Sequence, residues 1–587
     1  MKFLLVALNA KYIHSNPALY SLRAYVGEAL QEHVEIAEYT INHAFTDVLA
    51  DIYQRKPDVI GLSCYIWNIE QMLELVTELG KLMPQVPIWL GGPEVTYDAP
   101  KLLEKYPTVA GIMVGEGEET FRQLLECYVN RGELGYKELW QIPGLCLPEG
   151  FTAPRELTDM SKLPFLYEDM EPFQNRIIYY ESSRGCPFRC SYCLSSIDKK
   201  VRLRDMSVVK KELQFFLDNK VKQVKFVDRT FNCNHEHATS VWKYLLENDN
   251  GVTNFHFEIA ADLLNEEELE LLGQMRPGLV QLEIGVQSTN PKTLEAIHRM
   301  MDVEKLERVV ARINAGKNVH QHLDLIAGLP YEDYESFGRS FNRVYAMEPE
   351  QLQLGFLKVL KGSEMCERAA EYGIYYTDKA PYEVLFTKWL SFEDVLHLKR
   401  IEEMVELYYN SNQFVHTLRF LEQAFETPFQ MYEELASFYE RKGYFVNSPA
   451  RSYRYQVLLE FACECDEQYK DVYRELLTYD MYLRENLKSR PDFAKDLVAY
   501  KECFRAFYKQ EEENREYLPA YTTYDSKQLS RMTHLEPFAY PVWERMERNM
   551  TNVSCGAALP AGAEYLVLFD YRERSPLTGE ARTMVVE

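Results

Sequence analysis

Over the first 130 residues, short apolar runs rich in β-branched side chains alternate with longer amphipathic stretches. The runs at 2–9, 33–39, 57–64, 86–90 and 109–114 read as buried strands, and segments such as 17–31 and 68–83 carry apolar residues at helical spacing. Five βα units joined by right-handed crossovers predict a doubly wound parallel sheet that binds ligands beyond the carboxyl ends of its strands. The loops on that edge are 9–16, 63–68, 91–98 and 115–118. Residues 131–176 interrupt the alternation with Pro143-Gly144, Pro148, Gly150, Pro154, Pro164 and Pro172, and read as a connector with only short strand-like pieces. Strand-like runs resume at 177–183, 222–228, 254–260, 279–286, 319–326 and 351–357, each followed by a helical pattern. Six such units predict a partial barrel with its reactive groups on the loops after the strands. From about residue 380 long amphipathic stretches rich in Tyr, Phe, Glu and Lys dominate, until an apolar run at 565–569 and a closing hairpin over 571–584 that turns at Ser575-Pro576-Leu577-Thr578-Gly579. The expected division is therefore an N-terminal domain at 1–135, a connector at 136–176, a barrel at 177–375 and a mainly helical domain at 376–587.

Composition narrows the function classes. With 46% hydrophobic and 26% charged residues the chain is ordinary for a folded protein, and its 587 residues exceed what one core supports. The formal net charge of −25 disfavours broad contact with nucleic acid or anionic membrane, which depends on summed attraction to phosphates. The densest basic stretch, Lys199, Lys200, Arg202, Arg204, Lys210 and Lys211, reads first as a solvated loop and helix face. No apolar run reaches membrane-spanning length, and the start Met1-Lys2-Phe3-Leu4-Leu5-Val6 reads as a strand of a cytoplasmic protein.

Three of the twelve cysteines fall within eight positions, which in this setting suggests metal ligation over disulfides. Cys186, Cys190 and Cys193 form Cys-x3-Cys-x2-Cys on the loop after the first barrel strand. Three thiolates at this spacing suit three irons of a cubane and leave the fourth iron open. The competing ion is zinc, which needs four closed ligands and would draw on Cys233, His235 or His237. The motif, with Tyr192 before its last cysteine, resembles that of the radical S-adenosylmethionine superfamily. Phe226-Val227-Asp228-Arg229-Thr230-Phe231-Asn232, Glu283-Ile284-Gly285-Val286-Gln287-Ser288 and Asp324-Leu325-Ile326-Ala327-Gly328-Leu329-Pro330 resemble motifs of the branch with an N-terminal cobalamin domain. The likeness covers about residues 1–360 and leaves the C-terminal domain without a role. It implies a flavodoxin-like first domain and a TIM-type partial barrel. It also implies a 4Fe-4S cluster, S-adenosylmethionine and cobalamin as cofactors, with reductive cleavage to a 5′-deoxyadenosyl radical. Tyr192, Asp228, Glu283 and Gln287 are then expected near S-adenosylmethionine; for Glu283 and Gln287 a polar network inside the barrel is an equal alternative.

For cobalamin the matching positions are Ser63, Gly91, Gly92, Gly115 and Glu116, on loops where glycine lets backbone approach a bulky nucleotide tail. The pattern Asp-x-His-x-x-Gly, which supplies a cobalt ligand in other cobalamin domains, is missing from Asn9-Ala10-Lys11-Tyr12-Ile13-His14-Ser15-Asn16-Pro17, so His14 reads as a loop or substrate contact. Tyr65, Trp67 and Asn68 follow Ser63 on the same edge, and core packing is the usual role for such aromatics. The resemblance implies methyl transfer to an unactivated centre of a small-molecule or peptide substrate, with flavodoxin or ferredoxin as electron donor. The alternatives are a radical cyclase or rearrangement enzyme, and a cobalamin or redox sensor without turnover. If the two cofactors cooperate, the carboxyl ends of the first sheet's strands must face the barrel mouth.

Overall fold

β1 (Phe3–Asn9) is buried along its whole length, as its uninterrupted Phe-Leu-Leu-Val-Ala-Leu run requires of a strand covered on both faces. In the computed structural model, which describes residues 1–131, 136–548 and 565–586, it stands inside a parallel sheet with β2 (Val34–Thr40), β3 (Val59–Ser63), β4 (Ile88–Gly91) and β5 (Val109–Met113). The order β2-β1-β3-β4-β5 reverses direction between β1 and β3, the doubly wound, flavodoxin-like arrangement. One apolar cluster centred on Leu4, Val6, Ile60, Leu62, Met72 and Leu75 covers one face, and another containing Phe3, Leu5, Trp89, Phe121 and Leu124 covers the other.

The connector does more than span a distance. β6 (Leu145–Leu147) and β7 (Gly150–Phe151) extend the sheet antiparallel beyond β5. They are the short strand-like pieces expected of the connector, and their brevity and the prolines around them leave their place in the sheet unreadable from periodicity.

The barrel strands begin with β8 (Ile178–Tyr180), followed by the short β9 (Ser183–Arg184) and β10 (Arg202–Leu203), which pair with each other antiparallel. β11 (Gln223–Phe226) pairs in parallel with β8 and with β12 (Asn254–Ile259), which pairs with β13 (Val280–Gln287). Burial alternates residue by residue along β13, with Gln281, Glu283, Gly285 and Gln287 on the less buried side. The βα alternation continues along the chain through β14 (His320–Ala327) and β15 (Gln351–Phe356). A small hairpin, β16 (Tyr375–Tyr376) with β17 (Val384–Phe386), follows.

Contacts divide the chain into two compact units. The first comprises Met1–Gly316, Ile326–Asp333 and Gly355–Phe392, and so holds both the flavodoxin-like sheet and β8 to β13; the second comprises Lys317–Leu325, Tyr334–Leu354 and Glu393–Glu587. Helices dominate the second unit, among them Pro428–Lys442, Arg454–Cys465, Lys470–Arg484 and Lys501–Asn514. It also carries a three-stranded antiparallel sheet of β18 (Thr533–Phe538), β19 (Tyr565–Arg574) and β20 (Ala581–Val586). β19 and β20 are the closing hairpin, its turn held by Ser575 N–H donating to Glu580 O at 2.8 Å. No helix among the described residues is long and apolar enough to cross a membrane.

Adjacent glycines at the end of β4 have different jobs. Gly92 adopts φ +115°, and a side chain there would run into the carbonyl of Cys64, whereas a Cβ on Gly91 would meet only Met113 Cε at 3.5 Å. Gly92→Ala is expected to destabilise the fold by about 2–4 kcal/mol through backbone strain and the clash, and Gly91→Ala by under about 1 kcal/mol. Chemical denaturation of the two variants side by side checks the contrast.

Candidate functional site

The loop carrying Cys186, Cys190 and Cys193 has little regular structure, so its shape depends on how it is tied. Its base is the β9–β10 pair, and Cys186 N–H donates to Asp198 O at 3.1 Å. Gly185, at φ +98°, lies so close to the Lys200 carbonyl that a side chain is excluded. In the middle, Ser191 N–H donates to Ile297 O at 3.0 Å and Met365 N–H to Ser191 O at 2.8 Å, so the segment that follows β15 also grips the loop. Cys186 and Cys190 are buried and Cys193 is half-buried. Burial, and the neighbouring Cys193 and Cys190, push the Cys186 thiol up, an effect that needs all three sulfurs in one neighbourhood.

Among the described residues no three His, Cys, Asp or Glu side chains gather as a single-ion site. A cubane makes a different demand, one thiolate on each of three irons, and three thiols on one tied loop answer it. The histidines available to zinc are engaged elsewhere: His235 Nδ1 lies 3.0 Å from Glu268, and His237 Nε2 lies 2.9 Å from Ser182 Oγ. Cys233 is near enough to Cys186 for their charges to interact.

Asp228, fully buried at the end of the second barrel strand, accepts from Ser182 N–H at 3.0 Å, Ser182 Oγ at 2.7 Å and Ser183 Oγ at 2.5 Å. It therefore fixes the chain three residues ahead of Cys186. Burial, only partly offset by these donors, pushes its carboxyl up to about 7. Glu283 accepts from Lys225 Nζ at 3.0 Å and lies 2.9 Å from His256 Nε2. Burial opposes its ionisation, but His256 and Lys225 outweigh it and hold Glu283 at about 2. Glu283 thus sits in the polar barrel network. Its register partner Glu258 is pushed the other way, by burial and by Glu283 itself.

Tyr192 and Gln287 sit beside a residue that the sequence did not single out. Arg299 Nη1 is 3.5 Å from the Tyr192 hydroxyl and 3.8 Å from Cys190 Sγ, and Nη2 donates to Gly285 O. Gln287 is at φ +71°, and a Cβ on Gly285 would strike its side-chain amide, so glycine there makes room for Gln287. Arg299 Nε and Gln287 Oε1 are buried without a hydrogen-bond partner. Buried polar atoms left this way are costly, and a polar ligand beside the cysteine loop is a physical reason to keep them.

In the N-terminal domain Ser63, Gly91, Gly92 and Gly115 line one cavity of about 320 Å³, with Tyr65 and Tyr97, at the carboxyl ends of β3, β4 and β5. All its lining residues belong to this domain. Asn16 Nδ2 donates to Ser63 Oγ at 3.1 Å, and Asn16 Oδ1 is buried without a partner. Glycine on three strand ends leaves a cradle that side chains would fill, the shape a bulky nucleotide tail requires. Tyr65 stacks on Trp67 with ring centres 4.5 Å apart, and Asn68 Nδ2 donates to Leu8 O and Ser63 O, so Trp67 and Asn68 shape the loop. Glu116 does not line this cavity: its carboxylate accepts from Arg202 and from Thr158 N–H at 2.6 Å. His14 Nδ1 lies 2.5 Å from the Tyr179 hydroxyl on β8. With Ile177 N–H donating to Ile13 O at 2.9 Å, this brings the loop after β1 against the first barrel strand.

Residues 4–125 match the B12 binding domain, residues 180–344 the radical SAM superfamily and residues 370–555 a family described as a protein of unknown function, DUF4080. The cobalamin-dependent radical SAM methyltransferase TokK of Streptomyces tokunonensis is 25% identical over 360 residues, a match covering 56% of this chain and 51% of TokK. The chain thus spans about half the length of that relative. Among solved structures, OxsB, a cobalamin-dependent S-adenosylmethionine radical enzyme with aqua-cobalamin bound, superposes with a TM-score of 0.56 at 15% identity, covering 82% of this chain and 79% of OxsB. The radical S-adenosylmethionine methyltransferase TsrM of Kitasatospora setae, with cobalamin and a [4Fe-4S] cluster bound, superposes at 0.53 and 17% identity, covering 65% of this chain and 79% of TsrM. At these identities the structural likeness establishes the fold.

A pH effect follows from Asp228. An aspartate in the unfolded chain ionises near about 3.9, and in the folded protein Asp228 does so at about 7. Between those values the folded state holds the extra proton, so stability should fall as pH rises from about 4 through about 7 and level off above. Asp228→Asn should flatten that part of the profile, read as denaturation midpoints between about pH 5 and pH 8. Parallel profiles for the two proteins would contradict a proton held at this site.

Proposed function

The chain joins a B12-binding domain to a radical SAM domain, and from that premise we propose that it is a cobalamin-dependent radical S-adenosylmethionine methyltransferase acting on an unactivated centre of a small-molecule or peptide substrate. Its working parts are the domain at 1–135, the barrel at 177–375 and the domain at 376–587, with 136–176 between the first two. The observation that carries the proposal is three thiols on one tied loop beside buried polar atoms of Arg299 and Gln287 that lack partners. When bound, the cluster with S-adenosylmethionine supplies a hydrogen-abstracting carbon radical, and cobalamin supplies a transferable methyl group.

In this reading Cys186, Cys190 and Cys193 hold the 4Fe-4S cluster. Tyr192, Gln287 and Arg299 bind S-adenosylmethionine, Arg299 by donating to its carboxylate. Asp228 acts at one remove, by holding Ser182 and Ser183 and hence the start of the cysteine loop. Glu283 keeps Lys225 and His256 in place on the inner wall of the barrel. Ser63, Gly91, Gly92 and Gly115 cradle the nucleotide tail of cobalamin, and Glu116 supports that loop from outside the cavity. Electrons come from a small carrier of the flavodoxin or ferredoxin class. The fold itself supports the shielding a radical needs, because the loops after β1 and β5 pack on the barrel's first strands.

Two measurements test this. Any one of Cys186→Ala, Cys190→Ala or Cys193→Ala should reduce iron after anaerobic reconstitution from about four atoms per chain to under about one and abolish formation of 5′-deoxyadenosine. Stoichiometric zinc without iron, with both metals supplied, would refute the cluster. Wild-type chain that carries cluster and binds S-adenosylmethionine, yet never turns over in cell extract, would favour a sensor. Separately, Gly91→Leu fills the cradle without straining the backbone and should weaken cobalamin binding at least about tenfold, seen in the visible absorbance.

A further inference from the structure

Arg184 and Arg202 are register partners across the β9–β10 pair that closes the cysteine loop. Like charges opposite each other on paired strands repel, and this pair is only two residues long, so it cannot hold itself together. Carboxylates surround it. Arg184 binds Glu181 at 2.7 Å and Arg202 binds Asp198 at 2.8 Å, both from the barrel side. The other two come from the N-terminal domain: Glu118 at 2.9 Å from Arg184, and Glu116 at 2.5 Å from Arg202 and 3.5 Å from Arg184. The Arg202, Glu116 and Glu118 side chains are 10%, 16% and 7% exposed, so salt screens these contacts weakly.

Both glutamates sit on the loop 115–118, and Gly115, Gly117 and Glu118 of that loop line the 320 Å³ cavity. Gly115 takes φ +79° and has open space where a Cβ would stand, while Gly117 rests against Leu22, so the cavity side of the loop is unsupported at Gly115. A ligand in the cavity would pack on Gly115, Gly117 and Glu118, which flank or include the two glutamates whose carboxylates neutralise the arginine pair. We infer that Glu116 and Glu118 are positioning residues that couple occupancy of the N-terminal cavity to the order of the cysteine loop. A ligand on the glycine side holds the loop in the one shape that aims both carboxylates at the arginines. An assembled cysteine loop in turn holds the arginines where they fix the rim of the cavity. Coupling of this kind is reciprocal, so each cofactor strengthens the binding of the other. The inference rests on the proposed cobalamin site and adds an energetic link that the site alone does not require.

The test uses the full-length chain in cluster-loaded and cluster-free forms, titrated anaerobically with hydroxocobalamin and followed by visible absorbance. The loaded form should bind about tenfold more tightly. In the Glu116→Gln/Glu118→Gln double variant, which keeps size and polarity but removes charge, the difference should shrink to under about twofold while both cofactors still bind. Adding hydroxocobalamin should also change the electron paramagnetic resonance line shape of the reduced cluster in the wild type and leave it unchanged in the double variant. Arg202→Lys keeps the charge without the two-pronged geometry, and should retain part of the difference if the double variant does not fold. Equal affinity of the two wild-type forms, or a tenfold difference that persists in the variants, would overturn the coupling while leaving the cobalamin site intact. If neither wild-type form binds cobalamin, the site and the coupling fall together.

Discussion

The cysteine loop spans the stretch between β9 and β10 with almost no regular structure, and everything chemical in the barrel depends on its being held. The strands that close it are two residues long and set one arginine against another. The charges that make this tolerable are carboxylates, and half of those come from a different domain. Because a salt bridge broken at one partner leaves a buried charge uncompensated, such a network favours the two domains together over either apart. The acidic balance of the whole chain, −25, has a local counterpart here: of the basic stretch, Arg202 and Arg204 are turned inward onto Glu116 and Glu212, while Lys199, Lys200 and Lys211 are exposed.

Around that loop the other constraints fall into place by direction. Asp228 holds its leading edge through three serine donors, Ile297 and Met365 hold its middle through Ser191, and Asp198 holds its return. These ties leave Cys190 Sγ and the Tyr192 hydroxyl beside Arg299, with Gln287 directed into the same region by a positive φ and by the absence of a side chain on Gly285. The structure tolerates unpartnered atoms on Arg299 and Gln287 while satisfying both oxygens of Asp228, and the proposed division between binding and supporting groups rests on that contrast.

The longer strands of both domains were legible because each is a short apolar or alternating run between amphipathic helices, and burial follows the pattern, continuous in β1 and alternating in β13. The cysteine spacing was legible because metal chemistry restricts it. Arg299 was not, because an arginine after a short helix has no periodicity or spacing that marks it, and only the folded barrel brings it from 109 residues away to Cys190. Glu116 was legible as a member of a glycine-rich strand-end loop but not in its direction; alternating residues of a loop turn to opposite sides, and Gly115 and Gly117 face the cavity while Glu116 faces Arg202. β6 and β7 were legible only as short strand-like pieces of the connector, because strands of three and two residues carry too few positions for a period.

The second compact unit was legible in composition and only partly in form. Its amphipathic stretches become helices because Tyr, Phe and Leu recur at helical spacing, as Tyr473, Leu476, Leu477 and Tyr479 do in Lys470–Arg484. β18 was lost among them, since Thr533–Phe538 contains a proline and buried Glu536, which Arg490 neutralises from a distant loop. Buried charge again decides which segments pair, as at the base of the cysteine loop. In both units the segments whose apolar pattern is weakest are held by arginine–carboxylate contacts between residues far apart in sequence, and such contacts leave no trace in a local reading of the chain.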